Sequence, residues 1–492
     1  MFALLALLGG VGTVYAPVPT FTAVAVLFAL GLWAFVGVRR STVPRFEPLG
    51  GAGIKPRDAL VVRLVSAYLF VFWIALIAPL ATYSPRGPTD PGVSQGSLGN
   101  QVLIITFGLV GALFLPAAIR RFDRTFQWLI ILWSLYLGWA AASLTWSVYP
   151  PLTVRNVVAF VLVSVACFGL GAGFYGGLPN GRDLFLRHVF WASVLSALVI
   201  LLPLPLRFEQ YALLDPSQRL DIGGDFSAYV TRPVMVTLLA LVATSILGVR
   251  RWLWRDWFWV ALLILPLLAL KSRGPIVWGL VALGIFYFVY KTSIRDRVLQ
   301  AGTLLVIGVG TYIYYSENVL QTIFGPLVPY LTRGNLQATE HLTGRVPLWQ
   351  ALLDQIGQHP WLGAGFAAFW SPLNLARMGS SEVSGAPSAH NGFLEELLNT
   401  GLVGFVLLLA FCLSVLTMSL RRGRKGDAMG WLVFLFMVFY LLLNLTNALT
   451  QEYFQPPFVI ILVGLGLMAS GPPVAPPVGA PVGAPAPTER PP

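Results

Sequence analysis

EHLTGRVPLWQALLDQIGQHPWLGAGFAAFW (residues 340–370), followed after a polar spacer by SAHNGFLEELLNTGLVGF (residues 388–405), is the one long polar interval in the body of the chain. What flanks it decides the fold. Leu299–Tyr315 before it and Gly392–Leu420 after it are apolar runs, of the kind that crosses a bilayer as about 20 residues of helix. Such runs recur along the chain and are continuous rather than alternating, which argues against a β-barrel. Hydrophobic residues make up 57% and charged residues 11%, with a mean hydropathy of +0.75. A soluble protein with so few charges would lack the polar surface to cover itself. The expected fold is therefore all-α, a polytopic integral membrane protein with about 12–14 transmembrane helices and one long, partly helical external loop.

Working outward, the connections alternate in charge. Arg39, Arg40, Arg45, Lys55 and Arg57 mark one, and Arg120, Arg121 and Arg124 the next of its kind. Arg182 with Arg187, Arg250 with Arg251 and Arg255, Lys291 with Arg295 and Arg297, and Arg421–Lys425 continue the series. Lys and Arg accumulate in cytoplasmic loops, so these connections face inward and the intervening ones outward, with both termini cytoplasmic. The first run, Phe2–Tyr15, lacks a basic n-region and is followed at once by a second run, so it reads as a short span rather than a signal peptide. Residues 1–315 read as N-terminal spans, 316–391 as the long outer loop, and 392–470 as C-terminal spans. Residues 471–492, with repeated PVGAP units, read as a disordered Pro-rich cytoplasmic tail.

The net charge of +12 is accounted for by these inner loops. No basic stripe is interleaved with exposed aromatics, so no nucleic-acid partner is expected; membrane lipids are. Cys167 and Cys412 both sit in apolar runs and read as packing residues.

The alternation places the uncommon residues on the outer face. They are Trp146-Ser147-x-x-Pro150 with Arg155, a polar loop with Arg219 and Arg232, Ser272-Arg273-Gly274 at the mouth of a span, and Arg345, Trp349, His359 and His390 in the long loop. Outer arginines are disfavoured, so their persistence asks for a reason. A guanidinium is a permanently charged planar fork matched to phosphate oxygens. Each arginine also has a plainer reading, as a lipid-headgroup contact or a helix cap. His390 stands in S-A-H-N-G at the border of a span, where His390 or Asn391 is a candidate helix cap. An imidazole titrates near neutrality and can also take a proton from a hydroxyl. His359 precedes Pro360 and reads as ending a helix that starts near Arg345; His188 and His341 read as structural. There is no phosphate-binding G-x-x-x-x-G-K-[ST] loop, no D-x-D pair in any loop, and the four histidines are scattered. No metal and no cofactor is expected.

T-G-R-x-x-L-W (Thr343 to Trp349), H-P-W-L-G-x-G-F-x-x-F-W (His359 to Trp370) and A-H-N-G-F-L-E-x-L (Ala389 to Leu397), with the upstream W-S-x-x-P and S-R-G, resemble the O-antigen ligase/polymerase superfamily. The A-x-x-F-W and A-H-N-G-F-L forms look closest to its ExoQ-like exopolysaccharide-polymerase branch. The resemblance implies a metal-independent glycosyltransferase with a GT-C-like fold, in the bacterial inner membrane, acting at the periplasmic face. Its donor would be a glycan on undecaprenyl diphosphate. Its acceptor would be another glycan, or lipid A–core in the ligase alternative. Carried onto this chain, Arg273 and Arg345 would hold the diphosphate and His390 would act as base. Arg155 and Arg232 are further carry-overs for substrate binding, and Arg219, Trp349 and Asn391 are candidates for the same set. The segment Tyr229 to Arg232 departs from the family pattern, and polysaccharide export machinery is a candidate partner through the tail.

A transporter for a lipid-linked glycan is the alternative from another class. It predicts charges buried mid-span and an internal repeat. Here the spans are nearly free of charge and the polar residues gather at one face, which favours surface chemistry.

Overall fold

A computed structural model of the chain describes residues 56–77, 98–201, 226–249, 253–269, 273–291, 345–378, 388–449 and 455–469. Arg219, the segment 292–344, the runs before Pro56 and the Pro-rich tail lie outside the described residues. The described residues form α1 (Pro56–Ile77), α2 (Leu98–Ile119), α3 (Arg124–Ala142), α4 (Pro150–Phe168), α5 (Gly181–Leu201), α6 (Phe226–Ile246), α7 (Trp254–Ala269), α8 (Arg273–Lys291), α9 (Arg345–Gln358), α10 (Pro372–Met378), α11 (Gly392–Arg424), α12 (Ala428–Leu443) and α13 (Pro456–Ala469), and no strand. Among the described residues, five stretches are long and apolar enough to cross a bilayer by length and composition: Gln101–Ile119, Arg124–Thr145, Pro150–Gly177, Gly274–Lys291 and Gly392–Arg424. Shorter apolar helices, Val62–Ile74, Thr231–Ile246, Ala428–Asn444 and Pro456–Ala469, stand with them. The protein is an all-α polytopic membrane protein.

Local chemistry sets where these helices start. Asp123 caps α3, its Oδ1 accepting the Phe126 N–H at 2.7 Å. Asp427 caps α12, accepting the Met429 N–H at 3.0 Å. Pro150 and Pro151 open α4, where a missing N–H costs nothing because the first turn has no intrahelical acceptor. At its far end α4 widens into a π-helical turn, Gly169–Phe174. Glycine admits two neighbouring backbones here. A Cβ on Gly169 would lie 2.1 Å from the Gly111 carbonyl oxygen of α2, and one on Gly171 2.4 Å from that of Val463 in α13. The carbonyls of the widened turn are taken up by Arg121, whose Nη1 donates to Ala172 O at 2.6 Å and Gly173 O at 3.1 Å.

α13 lies at the centre of the bundle, against α4, α6 and α12, with all fourteen residues buried. Its length of about 21 Å is short of the roughly 30 Å hydrocarbon core. Because protein and not lipid surrounds it, it need not match that thickness.

The two ends of the bundle differ. At one end Arg182 Nη1 meets Asp427 Oδ1 at 2.8 Å, and Arg422 pairs with Asp123 and donates to Met468 O. These contacts tie α3, α5, α13 and the α11–α12 turn together. Asp427→Asn keeps the cap acceptor but loses the charge. It should lower stability by about 1 kcal/mol, the upper range for a partly exposed pair, read as a small drop in the thermal midpoint of the detergent-solubilised protein. Asp427→Ala also removes the cap and should cost about 1 kcal/mol more.

At the other end sits a second, small core of Leu348, Leu352, Phe369, Ala389 and Leu398, flanked by Trp349 and Trp370. It joins α9, α10 and the loop between them to the start of α11. The expectation of one uninterrupted span from Gly392 to Leu420 needs correction here. At Gly401 the backbone takes φ 66°, ψ −170°. The rings of Phe393 and Phe405 lie 6.3 Å apart, whereas a straight helix would separate these residues by about 18 Å. α11 is therefore two arms, 392–400 and 402–424, folded back on each other.

A break inside a membrane bundle strands backbone groups that need partners. The motif HPWLGAGF (residues 359–366) supplies them. Pro360 O accepts the Leu402 N–H at 2.8 Å, while the N–H groups of Ala364 and Gly365 reach Leu398 O and Asn399 O, each at 2.8 Å. Trp139 Nε1 donates to Thr400 O at 2.9 Å. The W-S-x-x-P segment holds this clasp from the other side. Trp146 Nε1 donates to Leu362 O at 3.0 Å, Val148 N to Ala364 O at 2.9 Å, and Thr153 Oγ1 to Phe366 O at 3.1 Å.

Candidate functional site

The first arm of α11 runs inward from the break, so its N-terminus, Ser388–Gly392, comes to rest against the end of α12. There the chain makes a polar turn, Asn444-Leu445-Thr446-Asn447, which the elements of the site share. Gly392 N donates to Asn444 O at 2.8 Å, and Asn444 Oδ1 in turn accepts the Leu449 N–H at 3.0 Å. Asn391 caps the arm, its Oδ1 accepting the N–H groups of Phe393 (2.9 Å) and Leu394 (3.2 Å), while its Nδ2 reaches Leu445 O at 3.4 Å. Of the two candidate caps read from the sequence, Asn391 is the one that does it.

Arginines arrive at the same turn from separate elements. Arg345, the first residue of α9, donates from Nη1 to Thr446 O at 3.0 Å. Arg232, buried in α6, donates from Nη2 to Asn447 Oδ1 at 3.3 Å and from Nη1 to Gln455 Oε1 at 2.7 Å. Arg273 opens α8; its side chain is not among those described. The next residue, Gly274, lies against the turn, with Asn447 Nδ2 and Thr446 Oγ1 as its nearest neighbours, 3.6 and 3.7 Å from where a Cβ would stand. Trp278, one turn further along α8, donates from Nε1 to Thr446 Oγ1 at 2.9 Å.

His390 sits directly before the cap with φ 49°, a left-handed conformation uncommon outside glycine. Trp349 belongs to this assembly through its indole Nε1, which donates to Ala389 O at 2.8 Å, so any substrate contact it makes would be through the ring. Arg232, Arg345, His390, Asn391, Trp349 and the start of α8 are thus brought together. Arg155 is half-buried on α4. His359 is exposed and follows the last residue of α9, as its position before Pro360 predicts.

The arrangement concentrates positive potential. Two guanidinium groups and the N-terminal end of a short helix arm, which carries a partial positive charge, share one turn. Such a site attracts an anion with several oxygens. Arg345→Lys keeps the charge but loses the planar fork. If one charge-assisted hydrogen bond of about 1.5–3 kcal/mol to an anionic substrate is lost, kcat/KM should fall about 10- to 100-fold.

Reading the sequence alone missed the acceptors that gather these groups: Asn444, Thr446, Asn447 and Gln455. The signal was present as the run NLTN, four residues with three polar side chains where an apolar run ends. It was passed over because polar residues at a helix end are the ordinary content of a connection.

Comparison with known proteins agrees with this architecture. Residues 258–409 match the family model described as O-antigen ligase. This segment carries Arg273, Arg345 and His390, but not Arg232 or the 444–447 turn. The likeness to that family is carried by this segment. It is also similar to a general O-oligosaccharyltransferase of Acinetobacter baylyi (strain ATCC 33305 / BD413 / ADP1), with 26% identity over 193 residues, 36% of this chain and 32% of that protein. The chain thus spans about a third of the length of the curated relative it matches.

Proposed function

We propose that this protein is a metal-independent glycosyltransferase of the ligase/polymerase type. It transfers a glycan from undecaprenyl diphosphate to an acceptor sugar hydroxyl at the periplasmic face of the inner membrane, in exopolysaccharide polymerisation. The observation that carries the reading is the meeting of Arg232, Arg345 and the start of α8 with the His390–Asn391 end of the α11 arm, all at one turn. In the proposed step the acceptor oxygen bonds to the anomeric carbon of the donor glycan, and the bond from that carbon to the diphosphate oxygen breaks. Arg232, Arg273 and Arg345 stabilise the charge developing on the diphosphate, the kind of electrostatic term that usually dominates catalysis. His390 takes the acceptor proton. The same bundle supports this orientation. Arg121, Arg182 and Arg422 lie at the end opposite the site, and Lys/Arg-rich ends stay in the cytoplasm.

The test is transfer by the purified protein in EDTA, with no nucleotide added. The donor is the undecaprenyl-diphosphate-linked repeat unit extracted from host cells that lack this protein. Chain growth on that lipid alone is the expected result. Transfer only after lipid A–core is added would favour the ligase alternative. If the lipid crossed a vesicle membrane unchanged and no glycan moved, the transporter reading would replace this one.

A further inference from the structure

We infer that Glu395 is a positioning residue that acts on His390 through the backbone of Ala389. This rests on the reading of His390 as the base. Glu395 lies on the first arm of α11, 7% exposed. Its Oε2 accepts the Ala389 N–H at 3.0 Å, across six residues. Its other oxygen, Oε1, accepts Asn399 Nδ2 at 3.4 Å, and that same amide nitrogen donates to Glu395 O at 2.9 Å. Asn399 is itself anchored to the clasp, its Oδ1 accepting the Phe369 N–H at 2.9 Å. The carboxylate is therefore held from behind while it grips the chain in front.

What it grips is the residue immediately before His390. The N–H of Ala389 goes to Glu395 and its C=O to Trp349 Nε1. Both polar groups of that residue are thus fixed, one by the arm and one by α9, and Ala389 is fully buried. His390 follows with φ 49°. An L-residue takes that conformation only where its surroundings hold it. On the other side Asn391 is held as the helix cap. Glu395, through Ala389, sets the angle at which the His390 side chain leaves the turn. The negative charge of Glu395 is accommodated because it sits in the first turn of the arm, at the positive end of the helix dipole.

The nearby Glu396 is a contrast. Its Oε1 accepts the Tyr136 hydroxyl at 3.0 Å and also the Thr400 hydroxyl, which ties the arm to α3.

The experiment compares Glu395→Leu, Glu395→Gln and His390→Ala with wild type, using the donor lipid assay above and thermal midpoints in detergent. Displacing a reacting group by about 1 Å can cost about 10²-fold, so Glu395→Leu should lose turnover on that order with little change in the KM for the donor. Glu395→Gln keeps an acceptor for the Ala389 N–H and should recover most of the rate. Hydrogen–deuterium exchange, which needs no substrate, should rise for the peptide covering 388–392 in Glu395→Leu and stay unchanged over 428–443. If His390→Ala is inactive and Glu395→Leu turns over at the wild-type rate, the positioning inference alone is overturned. It is also overturned if Glu395→Gln is as slow as Glu395→Leu, or if the loss appears in KM. If His390→Ala keeps full activity, the base reading falls and this inference with it.

Discussion

His390→Ala should leave a folded protein that transfers glycan about 10²- to 10⁴-fold more slowly than wild type, the usual contribution of a general base. The expected stability change is small for a structural reason. The turn is held by Asn391, by the Ala389 clamp and by the bond from Gly392 to Asn444, and none of these uses the imidazole. Alanine meets the same left-handed backbone as histidine, so the substitution changes the side chain and not the fold. His390→Asn is the sharper variant. Asparagine tolerates positive φ better than most residues but cannot accept a proton near neutral pH. It should therefore be at least as stable as the alanine variant and equally slow. Initial rates at saturating donor, with melting curves on the same preparations, decide the matter. A His390→Asn protein within threefold of wild type would remove His390 from the chemistry.

Gly401→Ala should have the largest effect on the fold itself. Two costs add. The backbone there, φ 66° and ψ −170°, lies in a region used almost only by glycine, worth about 1–3 kcal/mol. A Cβ would also stand 2.2 Å from Trp361 O, 2.3 Å from Trp361 C and 2.5 Å from Leu362 N. These are backbone atoms of the clasp, and they can move only by giving up the bonds that cap the two arms. The sum, several kcal/mol, is comparable to the whole stability of a typical domain, about 5–15 kcal/mol. Little monodisperse protein should survive detergent extraction and size exclusion. Gly138→Ala and Gly284→Ala serve as controls. Both are helical and have no described residue within 4 Å of an added Cβ. Each should be neutral or stabilising by about 0.5–1 kcal/mol. Normal yield of Gly401→Ala would mean that the arms are not folded as described.

The bundle was legible in the sequence because bilayer crossing is a local property. An apolar run of the right length identifies itself, and the basic connections order the runs; α2 and α8 begin and end within a few residues of the apolar runs Val102–Ile119 and Ile276–Tyr290. The gathering of Arg232 and Arg345 at one end was legible for the same reason, through the alternation of charge. Three things were not. The reversal at Gly401 leaves no mark in hydropathy, since both arms read as one continuous helix and a single φ/ψ pair makes the difference. The motif at 359–366 was recognisable as a signature, but its physical work, satisfying the broken ends of α11, follows from long-range hydrogen bonds that spacing does not encode. The 444–447 turn matters because of what reaches it from α6, α8, α9 and α11, and each of those partners is remote in the chain.

The folded-back arm also bears on how the protein is made. An insertion machinery that partitions segments by apolarity will accept 402–424 as a span and decline 392–400, which carries Glu395, Glu396 and Asn399. The arm must then enter the bundle later, when Tyr136 is in place to receive Glu396 and the end of α12 to receive Gly392. Assembly of the 388–392 turn would be a late event in biosynthesis, separate from membrane integration. A cysteine placed at 397 should accordingly be labelled by a membrane-impermeant reagent early in a pulse–chase and be protected afterwards.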